Sequence, residues 1–196
     1  MTKTLKLSLF ALAMVSPTVF AIEPGLGVSF KSNDINIYLP VNVSKSFRVE
    51  PFIGQYKTNE TEDLNKASYT QKEIGLGAFG LHQSTENIGL YYGARIARVE
   101  SRRAYSTHYS YEYDTFSSAN KSSDEQSGYS FAPVLGFEYS VVPQLSVGGE
   151  ASWEFVDMDG KDRSSYNTGY SVTEQSTKTE TTQNNTITRL MIRYYF

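Results

Sequence analysis

The chain has 196 residues, of which 39% are hydrophobic and 14% aromatic, and it contains no cysteine and only two histidines. Its formal charge is −3 at pH 7. The missing cysteines exclude thiol catalysis, disulfides and thiolate metal sites, and the mild acidity gives no indication of nucleic-acid binding. No cofactor is expected.

Residues 1–21 have the pattern of a secretory signal peptide. A short basic region precedes an apolar run at Leu7–Val15, and small residues stand at Val19 and Ala21, the two positions that a signal peptidase reads. We expect cleavage after Ala21 and a mature domain at 22–196. Without Lys3 and Lys6 the mature chain has 16 basic and 21 acidic residues, a formal charge of −5.

The first half of the mature chain alternates apolar with small or polar residues, which is the pattern of a strand with one apolar face. In the first run, Leu26, Val28 and Phe30 share one face and glycines or polar residues share the other. Pro51 makes the register of the third run the one most open to slippage. The alternation predicts four strands, at 22–31, 34–41, 47–54 and 73–79.

The same alternation continues in the second half. It is clearest in the sixth run, where Phe131, Leu135 and Phe137 face one way and Gly136 and Glu138 the other. No stretch after Ala21 is long and apolar enough for a spanning helix. Four more strands are predicted, at 88–96, 129–140, 145–155 and 189–196.

Short and long connections alternate along the chain. The short ones lie at 42–46, 83–87 and 141–144, and the long ones at 57–72, 99–128 and 156–185, with a short outer connection at 31–34 as the exception. Outer-membrane barrels keep their periplasmic turns tight and let their extracellular loops grow. The sequence therefore predicts an all-β fold, an eight-stranded antiparallel transmembrane β-barrel with short periplasmic turns and long extracellular loops.

The predicted inward face carries equal numbers of opposite charges. An eight-stranded barrel is just wide enough for side chains to fill, so we expect these groups to form a buried ion-pair network with a structural role. The alternative is that they gate a narrow ion path. The predicted members are Arg48, Glu50, Glu73, Arg95, Glu138, Glu150, Arg189 and Arg193.

The segment from Arg98 to Gly128 is a possible partner-contact loop. Tyrosines stand at even spacing, which places them on one face of a strand, and together with 164–184 the segment predicts strands that project past the membrane. An exposed edge there could recruit another strand, while a flexible polar loop is the alternative. Guanidinium groups at Arg98, Arg102 and Arg103 suggest contact with lipopolysaccharide phosphates. The predicted contact residues are Arg102, Arg103, Tyr105, Tyr109, Tyr111 and Tyr113.

Three weaker patterns suggest chemistry. His82-Gln83-Ser84 is similar to the His-x-Ser motif of lipid A deacylases, but it lies beside a periplasmic turn with Glu86 in the same turn. His108 and Asp114 suggest an outer-membrane protease, without the further acidic residues that such a site needs. A carboxylate-rich turn at Asp157, Asp159 and Asp162 could hold calcium, but it lacks the full ligand spacing. We therefore expect no catalytic and no metal site.

Three stretches carry a family resemblance. Phe131–Tyr139, Pro143–Glu150 and Arg193–Phe196 resemble the small eight-stranded outer-membrane β-barrel superfamily of OmpX/Ail-type and opacity-type proteins. The resemblance implies insertion by the barrel-assembly machinery, which reads a C-terminal aromatic residue, and roles in adhesion, serum resistance or envelope integrity. The matching insertion signal is Leu190, Ile192, Tyr194 and Phe196.

The leading hypothesis is a non-enzymatic surface protein of the bacterial outer membrane. The barrel would be a scaffold, and the outer loops would contact a host or envelope ligand. A narrow ion or small-solute channel and a lipid A-modifying enzyme are the alternatives. The expected partners are outer-membrane lipid, lipopolysaccharide and the assembly machinery, and we expect a monomer that binds no nucleic acid.

Overall fold

A computed structural model describes residues 22–31, 34–62, 65–110, 117–167 and 171–196. The predicted signal peptide lies outside the described residues. Among them, no helix is long and apolar enough to cross a membrane. The strands are β1 (Glu23–Lys31), β2 (Asp34–Tyr38), β3 (Val41–Ser44), β4 (Phe47–Glu62), β5 (Asn65–Gln83), β6 (Ile88–Ser110), β7 (Ser117–Val142), β8 (Leu145–Asn167) and β9 (Val172–Tyr195).

The strands form one closed antiparallel ring. β2 and β3 occupy a single position, because both pair with β1 on one side and with β4 on the other. The break between them falls at Leu39 and Pro40, where proline has no N–H for the ladder. Pairing of β1 with β9, from Gly25↔Tyr195 to Phe30↔Leu190, closes the ring. The predicted eight-stranded barrel is confirmed.

Side chains alternate between the lumen and an apolar outer surface, as the sequence predicts. On β7, Phe131, Leu135 and Phe137 are exposed on the outside, while Ala132 and Val134 are buried inside. The strand that contains Pro51, β4, pairs with β5 without a shift from Phe47↔Gly80 to Glu62↔Asn65, whereas its pairing with β3 shifts between Asn42 and Ser44. Exposed apolar side chains on a closed barrel are the surface that a bilayer covers.

The connections at the periplasmic end of the barrel are short. Tight turns lie at Lys45–Ser46, Ser84–Asn87 and Pro143–Gln144. The chain segments predicted as long connections are largely strand, and the projection predicted for 99–128 and 164–184 is confirmed. At 57–72 the sequence predicts a connection, whereas the structure continues the β4–β5 ladder through it. Above the membrane both faces of a strand are polar, so period-two alternation does not reveal it.

The apolar band ends at the same height around the barrel. Its last outward residues include Ile53 on β4, Ile74 on β5 and Ile96 on β6, and charged residues such as Lys72 and Arg98 follow them. Beyond this height β4 to β9 remain paired, and β6 continues for a further 14 residues to Ser110. At about 3.4 Å per residue, the six strands form an extracellular extension that runs for roughly 50 Å along β6. We call this part of the sheet the extension.

The centre of the barrel is packed with aromatic side chains. The buried cluster comprises Tyr38, Phe52, Phe79, Tyr91, Ala97, Val134 and Met191. Gly136 makes room for it, because a Cβ at that position would overlap ring atoms of Tyr91. A smaller cluster of Val99, Val156 and Met158 fills the wall nearer the extension.

Candidate functional site

A chain of alternating charges runs through the centre of the barrel. Arg48 binds Glu138 at 2.7 Å, Arg193 binds Glu50 at 2.9 Å, and Arg95 binds Glu50 at 2.7 Å. Arg193 also contacts Glu138, and Arg95 contacts Glu150. Arg189 extends the chain, at 3.6 Å from Glu150 and 3.9 Å from Glu73. The structure thus brings together all eight residues that the sequence predicts for the network.

Strand geometry explains why these side chains meet. Each of them occupies an inward position, and Glu150 on β8 lies directly opposite Arg189 on β9. The neighbours of Arg95 across the ladder are Gly77 on β5 and Ala132 on β7. Such small neighbours leave the middle of the lumen to the long charged side chains.

The aromatic cluster encloses the arginines. The Arg95 guanidinium lies 5.0 Å from the ring centroids of both Tyr38 and Phe79, and that of Arg193 lies 5.0 Å from the Tyr91 ring. The Tyr91 hydroxyl donates a hydrogen bond to Glu150 at 3.2 Å. Cations over aromatic faces are stabilised by the ring quadrupole. The sequence placed these aromatic residues inside, but alternation does not reveal which charge each one covers.

Charges and rings together form a plug that separates two cavities. On the periplasmic side a cavity of about 630 Å³ is lined by residues that include Lys45, Arg48, Glu138 and Tyr195. On the extracellular side a cavity of about 310 Å³ is lined by Glu73, Glu154 and Arg189 among others. Between them, the side chains of Tyr38 and Glu50 are 0% exposed.

A fifth inward glutamate was missed by the sequence-based pairing of charges. Glu154 on β8 faces the lumen and is 8% exposed. Within the described parts of the chain its carboxylate makes neither an ion pair nor a hydrogen bond. Its position on the inward face of the seventh predicted strand was the available signal. The described lumen therefore holds a glutamate outside the eight-residue network.

The predicted contact residues divide between the two faces of the extension. Arg102 points outward and pairs with Glu125 at 3.4 Å, as Arg98 does with Glu100 at 3.2 Å. Arg103 has the opposite orientation, since its guanidinium lies 5.6 Å from the inward ring of Tyr69. Adjacent residues of a strand face opposite sides, so Arg98 and Arg102 lie on the outer face of the extension and Arg103 on its inner face.

The predicted tyrosine face is described only in part. Tyr105 lines a cavity of about 1170 Å³ enclosed by the extension, and its hydroxyl donates a hydrogen bond to Asn65 at 3.3 Å. Tyr109 belongs to β6, and Tyr111 and Tyr113 lie outside the described residues. In the same extension, burial raises the pKa of Tyr69, which donates a hydrogen bond to Gln71 at 2.7 Å.

The patterns that suggested chemistry do not converge into sites. Gln83 donates hydrogen bonds to the carbonyl oxygens of Thr85 at 2.6 Å and Glu86 at 3.2 Å, so this segment is a compact periplasmic turn. His108 belongs to β6 and Asp114 lies outside the described residues.

The three aspartates suggested for calcium lie along β8. Asp157 and Asp159 are exposed on its outer face, whereas Asp162 is half-buried on the inner face and accepts a hydrogen bond from Ser122 at 3.3 Å. In the described ranges no group of three histidine, aspartate or glutamate side chains is arranged to hold a metal ion.

The residues predicted as the insertion signal form an outward row on β9. Leu190 is 72% exposed and Phe196 is 75% exposed, with Ile192 and Tyr194 between them. The rings of Tyr194 and Phe196 meet edge to face at 5.5 Å. The Phe196 N–H donates to the carbonyl of Pro24 at 2.9 Å, so the last residue is tied to the first strand.

A solved bacterial outer-membrane protein shares this fold. A major outer membrane protein of Thermus thermophilus superposes with a TM-score of 0.64 at 11% identity, over 90% of this chain and 100% of that one. CarO2 of Acinetobacter baumannii gives 0.48 at 12% identity, over 89% and 99% of the two chains. Ail of Yersinia pestis gives 0.44 at 12% identity, over 89% and 93%. No family model matches the sequence, and no curated protein does.

Proposed function

We propose that this outer-membrane β-barrel is a non-enzymatic surface protein, whose sealed barrel holds a stiff extension that binds a host or envelope ligand. The observation that carries the proposal is the extension itself, in which β4 to β9 stay paired well beyond the apolar band. A paired sheet presents side chains in fixed positions, so binding orders few of them and costs little entropy.

The extension has open strand edges that a partner could use. β1 pairs with β9 only as far as Leu190, so no described strand covers 172–189 on that side of β9. β2 likewise pairs with β4 only as far as Tyr56, which leaves 57–62 uncovered on that side. Main-chain groups at such edges pair with an added strand. These edges support a protein partner for the extension.

Lipopolysaccharide is the partner that we propose for the outer face just above the membrane. A groove of about 650 Å³ there is lined by Lys72, Arg98, Arg102, Lys161 and Arg163 together with three acidic residues. The ion pairs on this surface are more than half exposed and therefore weak. Their guanidinium groups remain free to exchange carboxylate for phosphate.

A packed lumen argues against the alternative of a narrow channel. Ion conduction would require the side chains of the ion-pair network and the rings of Tyr38 and Tyr91 to move together. Planar-bilayer recordings of the refolded protein test this alternative, because discrete conductance that changes in Glu138→Gln would favour the channel. The enzyme alternative would require altered lipid A acylation when the protein is overproduced.

The test of the surface-binding proposal shortens one hairpin at a time. Tyr105 and Ser122 are direct partners, so replacing 106–121 with Asn-Gly closes the β6–β7 hairpin by a two-residue turn. We expect this variant to insert normally and to lose binding to host cells, matrix or lipopolysaccharide.

A matched control shortens the neighbouring hairpin. Ser165 and Glu174 are direct partners, and Asn-Gly in place of 166–173 removes the tip of β8–β9 by the same design. Heat-dependent gel mobility reports whether each variant still forms the barrel. Binding that survives the β6–β7 truncation unchanged, in a folded protein, would contradict a role for that tip.

A further inference from the structure

The side wall of the barrel is lowest at the β1–β2 hairpin. β1 ends at Lys31 and β2 begins at Asp34, whereas β4 and β9 continue past them on either side. The cavity of about 310 Å³ above the plug lies at the foot of this gap. Its lining includes Gly54, Tyr56, Glu73, Glu154, Ile187 and Arg189. We call it the side pocket.

Negative charge dominates the side pocket. Two carboxylates line it, from Glu73 and Glu154, beside the single guanidinium of Arg189. That guanidinium is also shared with Glu150, at 3.6 Å, and its distance to Glu73 is 3.9 Å, beyond hydrogen-bond range. One arginine therefore does not neutralise the carboxylates that surround it.

Two acceptor groups in this region lack partners in the described part of the structure. Glu154 is 8% exposed and makes neither an ion pair nor a hydrogen bond there. Asn36 is 1% exposed, and its Oδ1 atom is buried without a hydrogen bond. Buried acceptors of this kind are costly unless a donor reaches them.

Gly54 keeps the space beside the side-chain oxygens of Glu73 and Asn36 open. A Cβ at Gly54 would lie 2.5 Å from Glu73 Oε1 and would also overlap Asn36 Oδ1. Both oxygens therefore face the bare backbone of a glycine that lines the side pocket. Any larger residue at this position would fill the approach to them.

Aromatic rings complete the lining. Tyr56 and Tyr69 meet edge to face with their centroids 5.7 Å apart, and Ile187 adds an apolar side chain. Carboxylates beside tyrosine rings are the surroundings that stabilise an organic cation. A metal ion fits less well, because no suitable group of three ligands exists among the described residues and the volume is that of a small organic ligand.

We infer that the side pocket binds a primary ammonium group, with Glu154 and Glu73 as acceptors and the attached alkyl chain against Tyr56 and Ile187. The gap between β4 and β9 opens at the height where the apolar band ends. The ammonium group therefore comes from a soluble amine or from a lipid headgroup in the outer leaflet.

The experiment uses the full mature protein refolded in zwitterionic detergent, with 1,5-pentanediamine as the soluble probe and calorimetry as the measurement. Glu154→Gln should weaken binding by about tenfold or more, because a charge-assisted hydrogen bond is lost. The matched control is Asp159→Asn on the outer face of the same strand, which should bind like the parent protein. Inorganic phosphate is the second probe and should not bind.

Thermal unfolding separates this site from a purely structural role. Without amine, Glu154→Gln should unfold at a higher temperature than the parent protein, because an unpaired buried charge is removed. Amine should raise the melting temperature of the parent protein but not of the variant. If Glu154 had a purely structural role, the Glu154→Gln variant would instead have a lower melting temperature than the parent protein.

Nanodiscs distinguish the two sources of the ammonium group. A higher melting temperature in phosphatidylethanolamine than in phosphatidylcholine nanodiscs, lost in Glu154→Gln, would identify the lipid headgroup as the source. Diamine binding without this lipid effect would identify a soluble amine. Binding of neither amine source, or binding of phosphate in their place, would overturn the inference. A folded Glu154→Gln variant with unchanged amine binding would overturn it as well.

Discussion

Replacing Glu50 with glutamine tests the plug at its most buried carboxylate. Glu50 is 0% exposed, and its two oxygens bind Arg95 at 2.7 Å and Arg193 at 2.9 Å. Breaking a buried ion pair by removing one partner costs about 3–5 kcal/mol. Each arginine keeps a second carboxylate, Glu150 or Glu138, so we expect Glu50→Gln to lower the free energy of unfolding by about 3 kcal/mol.

The matched variant is Glu73→Gln at the end of the same charge chain. Its carboxylate lies 3.9 Å from Arg189, so we expect a loss of about 1 kcal/mol or less. Urea titration in phospholipid vesicles measures both, with fluorescence of Trp153, the single tryptophan, as the probe. Equal losses in the two variants, or a loss in Glu50→Gln below about 0.5 kcal/mol, would refute the reasoning that burial and pairing set the cost.

Three further changes test other parts of the molecule. Deleting Phe196 should lower outer-membrane insertion while export and signal cleavage continue, as fractionation and blotting would show; normal insertion would contradict the proposed signal. Gly136→Ala should destabilise the barrel by about 1–3 kcal/mol in urea titration, because its Cβ would overlap Tyr91. Gly89→Ala, with its nearest atom at 3.7 Å, is the control and should cost less. Lengthening the β1–β2 hairpin by four paired residues on each strand should block diamine binding at the side pocket without changing the stability of the plug, and unchanged binding would show that the gap is not the entrance.

Alternation predicted the membrane-spanning half of the fold because lipid and lumen make opposite demands on successive residues. Arg48, Arg95 and Glu138 could be placed inside from the sequence alone, since the residues directly before and after each of them are apolar and face the lipid. Where water is on both sides the same rule gives a signal only at the evenly spaced tyrosines of β6. It therefore missed the pairing of 57–62 with 65–70.

Contacts between strands distant in sequence were also beyond the reach of the pattern. Alternation gives the side on which Glu154 lies but not which arginine is close enough to pair with it. The order of charges along the network depends on the register between neighbouring strands, for example on the pairing of Glu150 with Arg189. The side pocket depends on a further long-range fact, that β1 and β2 stop while β4 and β9 continue.

The short β1–β2 hairpin links the two proposed binding features. Because it ends at the membrane surface, it leaves the side pocket open and leaves 172–189 of β9 uncovered on the side opposite β8. A long open edge is normally an aggregation hazard. Residues 172–188 contain Glu174, Lys178 and Glu180 among threonines, glutamines and asparagines, with isolated apolar residues only at its ends. Charged side chains at a strand edge oppose unspecific pairing with apolar strands. This edge therefore suits a partner strand with complementary charges.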